Sequence, residues 1–258
     1  MAWSIIHREL NEASVISLFA TTETTTGGNK LFALVSGSGT GSQPAEVWKN
    51  QGSYPIGDPT PVWVDTTKTT PDAAEDIDIT GIAYDPINAK VYLVNSSVGK
   101  IYIWDIATGD WDASSPINRA WGVTGATYSG TDARLRDILY HNRALYVSHY
   151  GGVSKYNITA GSWAVAALFT QPGIGECNGL TAFNNRVHVA VENYDALYRE
   201  TESTTWDKVA KLPPYTKTLK FAERLGNSVV VAADGINKNL FSTADLETAT
   251  TTEPVFDN

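Results

Sequence analysis

The feature that most constrains the fold of this chain is a β-rich hairpin pattern that occurs five times. Each copy contains a short segment in which apolar and polar residues alternate, as they do along a half-buried strand. An apolar segment precedes each one, and the residues between the two are of the Asn, Asp and Gly type or, in the first copy, a longer polar run typical of turns. The five segments are LFALV from Leu31, VYLVN from Val91, LYVSH from Leu145, VHVAV from Val187 and VVVAA from Val229.

A third predicted strand with an aromatic residue follows each hairpin, and four copies add a fourth strand that opens near a tryptophan. The third-strand aromatics are Trp48, Trp104, Tyr156, Tyr198 and Phe241, and the fourth-strand tryptophans are Trp63, Trp111, Trp163 and Trp206. Repeats of four strands at this spacing are typical of propeller blades. We therefore expect an all-β, five-bladed β-propeller of four-stranded antiparallel blades, in one domain over 1–258. The blades are expected at about 12–66, 73–115, 123–169, 174–212 and 215–247.

The fifth copy lacks a tryptophan where its fourth strand is expected. The N-terminal segment AWSIIHREL, with Trp3, resembles the fourth-strand pattern of the other copies. We expect this N-terminal strand, residues 2–10, to complete the last blade and close the ring, because closure removes unpaired strand edges. The alternative is that ATTTEPVF, near the C-terminus, supplies that strand.

The recurring aromatics are expected to be core residues, because wedge-shaped blades need large flat side chains between neighbouring sheets. The alternative, a repeated sugar-binding set made of Trp48, Trp104, Trp111, Trp163 and Trp206, requires these rings to face solvent. Periodic aromatics of this kind are usually buried.

Charge and cysteine content exclude several classes of function. The formal net charge is −9 and the isoelectric point about 4.9, so we expect neither nucleic acid nor an anionic membrane surface as a partner. The single cysteine, Cys177, permits neither an internal disulfide nor a cysteine-based metal site. The N-terminus lacks a signal-peptide pattern, and no apolar run reaches membrane-spanning length. We expect synthesis in a cytoplasm, no membrane insertion, and incorporation into a virion as one destination.

No motif in the sequence predicts catalysis or a cofactor. A glycosidase would need two carboxylates flanking the scissile bond, and the candidates near the predicted inner strands are Asp78, Asp132, Asp137 and Glu176. The acidic run DAAEDIDIT, 72–80, lacks the EF-hand calcium pattern, which leaves calcium binding there an open question. His188 alternates within a strand and is expected to be packed rather than to bind a metal. We therefore expect no catalytic residue, no metal and no cofactor.

The expected binding surface lies on the loops that enter each predicted inner strand, together with the loops that join the second and third strands on the same face. The longest insertion, about 114–135, brings together aromatic, basic and acidic residues, a composition typical of protein hot spots and sugar platforms. The candidate binding residues are Arg119, Trp121, Tyr128, Asp132, Arg134, Tyr150 and Tyr194. Trp121 is the strongest of them, and its alternative role is to pack its own loop onto the scaffold.

Two segments resemble known propeller families. IYIWDIATGDW, at 101–111, looks like a WD-repeat strand pair, and YGGVSKY, at 150–156, is similar to a kelch blade, but neither motif recurs in the other copies. As a whole the sequence resembles lectins of the tachylectin type and bacteriophage tail or capsid-associated propellers. That resemblance implies a non-enzymatic recognition or assembly module, with protein subunits or a surface glycan as partners. A soluble lectin and a glycosidase are the alternatives, and the sequence leaves the ligand and the oligomeric state open.

Overall fold

The computed structural model of the protein describes a set of strands and short connections. The described residues are 15–22, 29–35, 46–50, 63–69, 71, 79–96, 98–118, 135–149, 152–164, 177–191, 196–201, 206–211, 216–225, 228–235, 240–243 and 253–256. Within these ranges all regular structure is β, no helix occurs and every strand pairing is antiparallel. The polypeptide divides into two compact units, Met1–Asn118 and Arg119–Asn258.

The first unit contains two sheets whose strands pair in sequence order. The first sheet consists of β1 (Val15–Thr22), β2 (Asn29–Val35), β3 (Glu46–Asn50) and β4 (Trp63–Thr69). The second consists of β5 (Ile79–Asp85), β6 (Lys90–Asn95), β7 (Lys100–Asp105), β8 (Asp110–Trp111) and β9 (Ile117–Asn118). Both β8 and β9 pair with β7, so the fourth position of this sheet is divided between two short strands. The sheet therefore extends to Asn118, beyond the predicted blade end at 115.

The second unit contains three sheets with the same order of strands. The third sheet consists of β10 (Leu135–His141), β11 (Ala144–His149), β12 (Gly152–Asn157) and β13 (Ser162–Trp163). The fourth consists of β14 (Cys177–Phe183), β15 (Arg186–Val191), β16 (Ala196–Glu200) and β17 (Trp206–Lys211). The fifth consists of β18 (Thr216–Leu225), β19 (Ser228–Gly235), β20 (Leu240–Thr243) and β21 (Glu253–Phe256). The first strands of successive sheets, β10, β14 and β18, are neighbours. The predicted four-stranded antiparallel sheets are therefore present.

The fourth strand of the fifth sheet comes from the C-terminal segment and not from the N-terminal segment, as the sequence pattern had favoured. The residues that pair with β20 are Glu253–Phe256, so the C-terminal segment occupies the place predicted for the N-terminal strand, and the alternative assignment is the right one. Residues 2–10, the predicted closing strand, lie outside the described part of the polypeptide. Pro254 fits the position, because proline has no N–H to donate and is tolerated at the edge of a sheet.

Two pairs of tight turns explain why the predicted hairpins form. The β10–β11 hairpin turns at Asn142 and Arg143, and the β14–β15 hairpin at Asn184 and Asn185, all with positive φ. Two central residues with positive φ make a type I′ turn, whose twist matches that of the flanking strands and which asparagine tolerates well. The turns DIATGD and NITAGS are also alike, since both carry a glycine with positive φ near their end, Gly109 and Gly161.

A bulge interrupts the first strand of every sheet near its start. The pairing register slips between Val15 and Ser17, Ile79 and Gly81, Leu135 and Asp137, Cys177 and Leu180, and Thr216 and Thr218. A bulge places two residues opposite one and leaves the extra backbone groups unpaired within the sheet. The five sheets therefore share this irregularity at one register position, which the alternating sequence pattern does not reveal.

Two apolar cores are defined by described side chains. In the second sheet Val91, Leu93, Tyr102, Trp104 and Ile106 are buried together, with Trp111 packed against them. In the second unit a core joins the third and fourth sheets, and it contains Ala144, Tyr146, Val153, Cys177, Leu180, Val187, Val189, Val191 and Tyr198. Strand residues at alternate positions supply most of both cores, as the sequence predicts.

Candidate functional site

The predicted binding residues fall in three segments between described strands. In a sheet of four strands that alternate in direction, the starts of strands one and three share an end with the finishes of strands two and four; we call this the loop end. The described strand residues Asn118, Leu135, His149, Gly152, Val191 and Ala196, which border the segments 119–134, 150–151 and 192–195, lie at loop ends. All seven candidates, Arg119, Trp121, Tyr128, Asp132, Arg134, Tyr150 and Tyr194, lie outside the described residues. The site that can be built is therefore the framework to which these segments attach.

At the loop end of the third sheet, a carboxylate and a hydroxyl hold the first strand of the fourth sheet. The Oδ2 atom of Asp137 accepts a 2.8 Å hydrogen bond from the backbone N–H of Leu180. The Oγ of Ser148 donates a 2.7 Å hydrogen bond to the carbonyl of Asn178. Asp137 and Ser148 are directly opposite each other in the β10–β11 register, immediately after the bulge. We call this arrangement the Asp137–Ser148 clamp.

The clamp provides hydrogen-bond partners for two backbone groups at the β14 bulge. Asn178 lies within the register slip between Cys177 and Leu180 of β14, Leu180 is the first paired residue after it, and both are buried. A buried backbone group without a partner costs about 1–3 kcal/mol, so a partner from the neighbouring sheet stabilises the bulged conformation. The clamp therefore fixes the position at which residues 164–176 enter the fourth sheet.

The clamp also bears on the glycosidase alternative. Besides Leu180, the carboxylate of Asp137 accepts a 2.8 Å hydrogen bond from the N–H of Ile138 through its Oδ1 atom. Both carboxylate oxygens thus bind backbone, which is a structural arrangement rather than that of a group that exchanges protons with a substrate. The other three candidate carboxylates, Asp78, Asp132 and Glu176, lie outside the described residues. Among the described residues no group of three or more His, Cys, Asp or Glu is placed to hold a metal.

A serine–histidine pair near this end was not anticipated from the sequence. The Nε2 atom of His149 lies 2.9 Å from the Oγ of Ser154, and His149 is 3% exposed. A hydrogen-bonded serine and histidine are two parts of a nucleophilic site, but a substrate must reach both. Because the ring is buried, we interpret the contact as a structural hydrogen bond between β12 and the end of β11. Only the register of these strands brings the two residues together, so sequence spacing gives no signal for it.

A second contact between the third and fourth sheets lies further along β11. The hydroxyl of Tyr146 donates to Oε1 of Glu200 over 3.4 Å, and burial raises the pKa of this phenol above its ordinary value. The ammonium of Lys155 lies 4.9 Å from the centre of the Tyr146 ring, within the range of a cation–π interaction. Because a carboxylate and an ammonium both contact the same aromatic residue, this face is held by polar as well as apolar contacts.

The prediction that His188 is a packed residue is confirmed. His188 is 1% exposed, and its Nδ1 atom lies 3.2 Å from the carbonyl of Arg186. Burial lowers the pKa of the imidazole from 6.5 to about 4, and the positive charges of Arg199 and Arg186 act in the same direction. The ring is therefore neutral at physiological pH.

Cys177 is likewise buried, and burial raises the pKa of its thiol well above the ordinary value, so the thiol is unreactive.

The comparisons with known proteins concern the fold. No protein-family model and no curated protein matches the sequence. Virginiamycin B lyase from Staphylococcus aureus is similar in structure over 86% of this chain, with a TM-score of 0.60 and 12% identity. A streptogramin B lyase matches over 68% of the chain, with a TM-score of 0.53 and 15% identity. A component of a nidogen–laminin complex matches over 83%, with a TM-score of 0.52 and 10% identity. The protein has a β-propeller fold.

This likeness extends to the fold and no further, because every identity is far below the level at which activity transfers. The protein spans 64% of the virginiamycin B lyase, 53% of the streptogramin B lyase and 71% of the nidogen–laminin component. Two of the three neighbours are named as lyases and the third as part of a complex. The β-propeller fold therefore accommodates both kinds of protein.

Among the described residues no helix is long and apolar enough to cross a membrane.

Removal of the Asp137 carboxylate should destabilise the second unit. The Asp137→Ala variant leaves the buried N–H of Leu180 without its acceptor, so we expect the free energy of unfolding to fall by about 2 kcal/mol. Urea denaturation followed by circular dichroism measures this change. Asp207→Ala is the control, because Asp207 is exposed on β17 and its loss should change the free energy by less than about 0.5 kcal/mol. Equal stability of the two variants would contradict the role assigned to the clamp.

Proposed function

We propose that this protein is a non-enzymatic β-propeller recognition and assembly module, a virion component of the bacteriophage tail or capsid-associated type. It binds protein subunits or a host surface glycan through the segments at the loop ends of its sheets. The proposal includes the five-bladed arrangement expected from the sequence repeats. The observation that carries it is the Asp137–Ser148 clamp, in which a carboxylate and a hydroxyl at the loop end of the third sheet join it to the fourth sheet.

A rigid scaffold with variable connecting segments is the arrangement in which loops carry recognition. The segment 119–134 is 16 residues long and contains Arg119, Trp121 and Tyr128, the residue types that dominate binding energy at interfaces. The two compact units also differ in charge. Residues 1–118 contain 6 Lys and Arg against 14 Asp and Glu, whereas residues 119–258 contain 13 against 14. The near-neutral second unit is therefore better suited to contact an acidic glycan or protein surface.

The test combines a binding measurement with an activity measurement. On an array of bacterial surface glycans we expect the wild-type protein to bind a restricted set, and Trp121→Ala to weaken that binding at least thirtyfold, the loss of an interface hot spot. Ile87→Ala is the matched control, since Ile87 is the large hydrophobic residue that is 60% exposed in the β5–β6 turn. It should bind as the wild type does.

The activity measurement addresses the enzymatic alternatives. The protein is incubated with a panel of glycosides and with virginiamycin B, which the structural neighbours' names suggest as a substrate. We expect no turnover above the buffer rate. If the wild-type protein turned over a glycoside, and if alanine at Asp78, Asp132 or Glu176 abolished that turnover, the protein would be a glycosidase and the recognition proposal would be wrong.

Portal, capsid or tail genes next to the coding gene would support the virion assignment.

A further inference from the structure

The dipeptide Asn178–Gly179 lies within the β14 bulge, between the two hydrogen bonds of the Asp137–Ser148 clamp. It is the only place in the sequence where glycine follows asparagine. The carbonyl that accepts the 2.7 Å hydrogen bond from Ser148 belongs to the peptide group before Gly179. The N–H of Leu180, which donates the 2.8 Å hydrogen bond to Asp137, belongs to the peptide group after it. The clamp therefore holds the backbone on both sides of this glycine.

Asparagine followed by glycine is chemically prone to deamidation. The backbone nitrogen of Gly179 attacks the side-chain carbonyl carbon (Cγ) of Asn178, because glycine has no Cβ to hinder the approach. The new N–Cγ bond closes a cyclic imide, the Cγ–Nδ2 bond breaks, and ammonia leaves with the proton of the Gly179 N–H. Water then hydrolyses the imide at one of its two carbonyl carbons, which gives aspartate or isoaspartate. Overall the reaction consumes a water molecule and releases ammonia.

The closed clamp opposes the movements that imide formation needs. The Gly179 nitrogen reaches Cγ through rotation about the Cα–C and Cα–Cβ bonds of Asn178. Rotation about the Cα–C bond turns the Asn178 carbonyl away from the Ser148 hydroxyl and breaks their hydrogen bond. Asn178 is only 8% exposed, so packing restricts the side-chain rotation and keeps out the water that hydrolysis requires. Deamidation therefore requires that the clamp and the bulge open first.

We propose that Asn178 is a deamidation site which the Asp137–Ser148 clamp protects, and that the modification fixes the clamp in its open state. Isoaspartate adds its Cβ atom to the main chain of β14, so the carbonyl and the N–H on either side of Gly179 no longer match the positions of their two partners. Aspartate places a carboxylate at a buried position, which is unfavourable while the clamp is closed. The modification requires no partner molecule, so it is independent of the recognition function proposed above.

The test follows the peptide that contains Asn178 by mass spectrometry while the full-length protein is kept in mildly alkaline buffer. We expect Asp137→Ala and Ser148→Ala to deamidate at least about tenfold faster than the wild type, because the bulge opens more often without either partner. Wild type in urea gives the unprotected rate, and the folded wild type should react far more slowly. Hydrogen exchange on the deamidated fraction should then show loss of protection in the peptide that contains Leu180. Unchanged protection there would mean that the clamp closes again after modification.

Two control variants separate the clamp from a general loss of stability. Val153→Ala removes buried methyl groups from the core between the third and fourth sheets and keeps both clamp residues. Asp207→Ala removes an exposed carboxylate. Both should deamidate at nearly the wild-type rate, because the reaction proceeds through local opening of the bulge and not through unfolding. If Val153→Ala reacts as fast as the clamp variants, if neither clamp variant exceeds the wild type, or if the folded wild type reacts as fast as in urea, the proposal is wrong.

Discussion

Replacement of Trp104 by alanine should lower the free energy of unfolding by about 3–5 kcal/mol, the loss expected when a large aromatic side chain is removed from a packed core. Trp104 is 0% exposed and lies within the apolar core of the second sheet. Its ring meets that of Trp111 edge to face, with 5.1 Å between the ring centres, and Trp111 makes a second such contact with Tyr102 over 5.9 Å. Each aromatic pair adds about 0.5–1.5 kcal/mol to the burial term.

Urea denaturation followed by circular dichroism measures this loss. Trp104→Phe keeps a ring in the core and should lose clearly less than Trp104→Ala does. The exposed Ile87 again supplies a control, because Ile87→Ala creates no cavity and should change the free energy by less than about 0.5 kcal/mol. A loss below about 1 kcal/mol for Trp104→Ala would show that this tryptophan is not a core residue. It would reopen the interpretation of the recurring aromatics as a sugar-binding set.

The sequence predicts the hairpins well because local rules determine them. Alternation identifies the strands, and asparagine or glycine at turn positions with positive φ fixes where they reverse, as at Asn142 and Gly161. The third and fourth strands follow from the same signals, and the contact of Tyr156 with Trp163, 5.2 Å between ring centres, repeats that of Trp104 with Trp111. These features need no knowledge of distant parts of the sequence.

Features that depend on distant residues are missed or assigned wrongly by sequence reasoning. The C-terminal strand Glu253–Phe256 is short and carries a proline, so its pattern is weaker than that of the N-terminal segment with Trp3, which the sequence pattern favours. The hydrogen bond between Asp137 and the N–H of Leu180 spans 43 residues and depends on bulges in two strands. Since alternation does not reveal a bulge, the sequence presents Asp137 as a catalytic candidate, whereas the structure uses it to join two sheets.

Acidification should destabilise the protein through His188. The imidazole has a pKa of about 4 in the folded state, mainly because it is buried, and an ordinary value near 6.5 in the unfolded state. The unfolded state therefore takes up a proton at a higher pH than the folded state does. The stability contributed by the neutral ring is complete above about pH 7.5 and is lost as the pH falls from about 6.5 towards 4. By linkage the loss is about 2 kcal/mol at about pH 5 and about 3 kcal/mol at about pH 4.

The contribution of His188 is measured as a difference between two denaturation series from about pH 8 to about pH 4. Carboxylates also titrate in this range, but they do so in both proteins, so the difference between wild type and His188→Leu isolates the imidazole. We expect the variant to lose about 3 kcal/mol less than the wild type over this range. Ile87→Ala is the control, since it removes an exposed apolar side chain and no titratable group, and it should keep the wild-type pH dependence. If the free energies of unfolding of wild type and His188→Leu changed in parallel with pH, His188 would keep an ordinary pKa in the folded state. Solvent would then reach the imidazole ring, in contradiction to its burial within the fourth sheet.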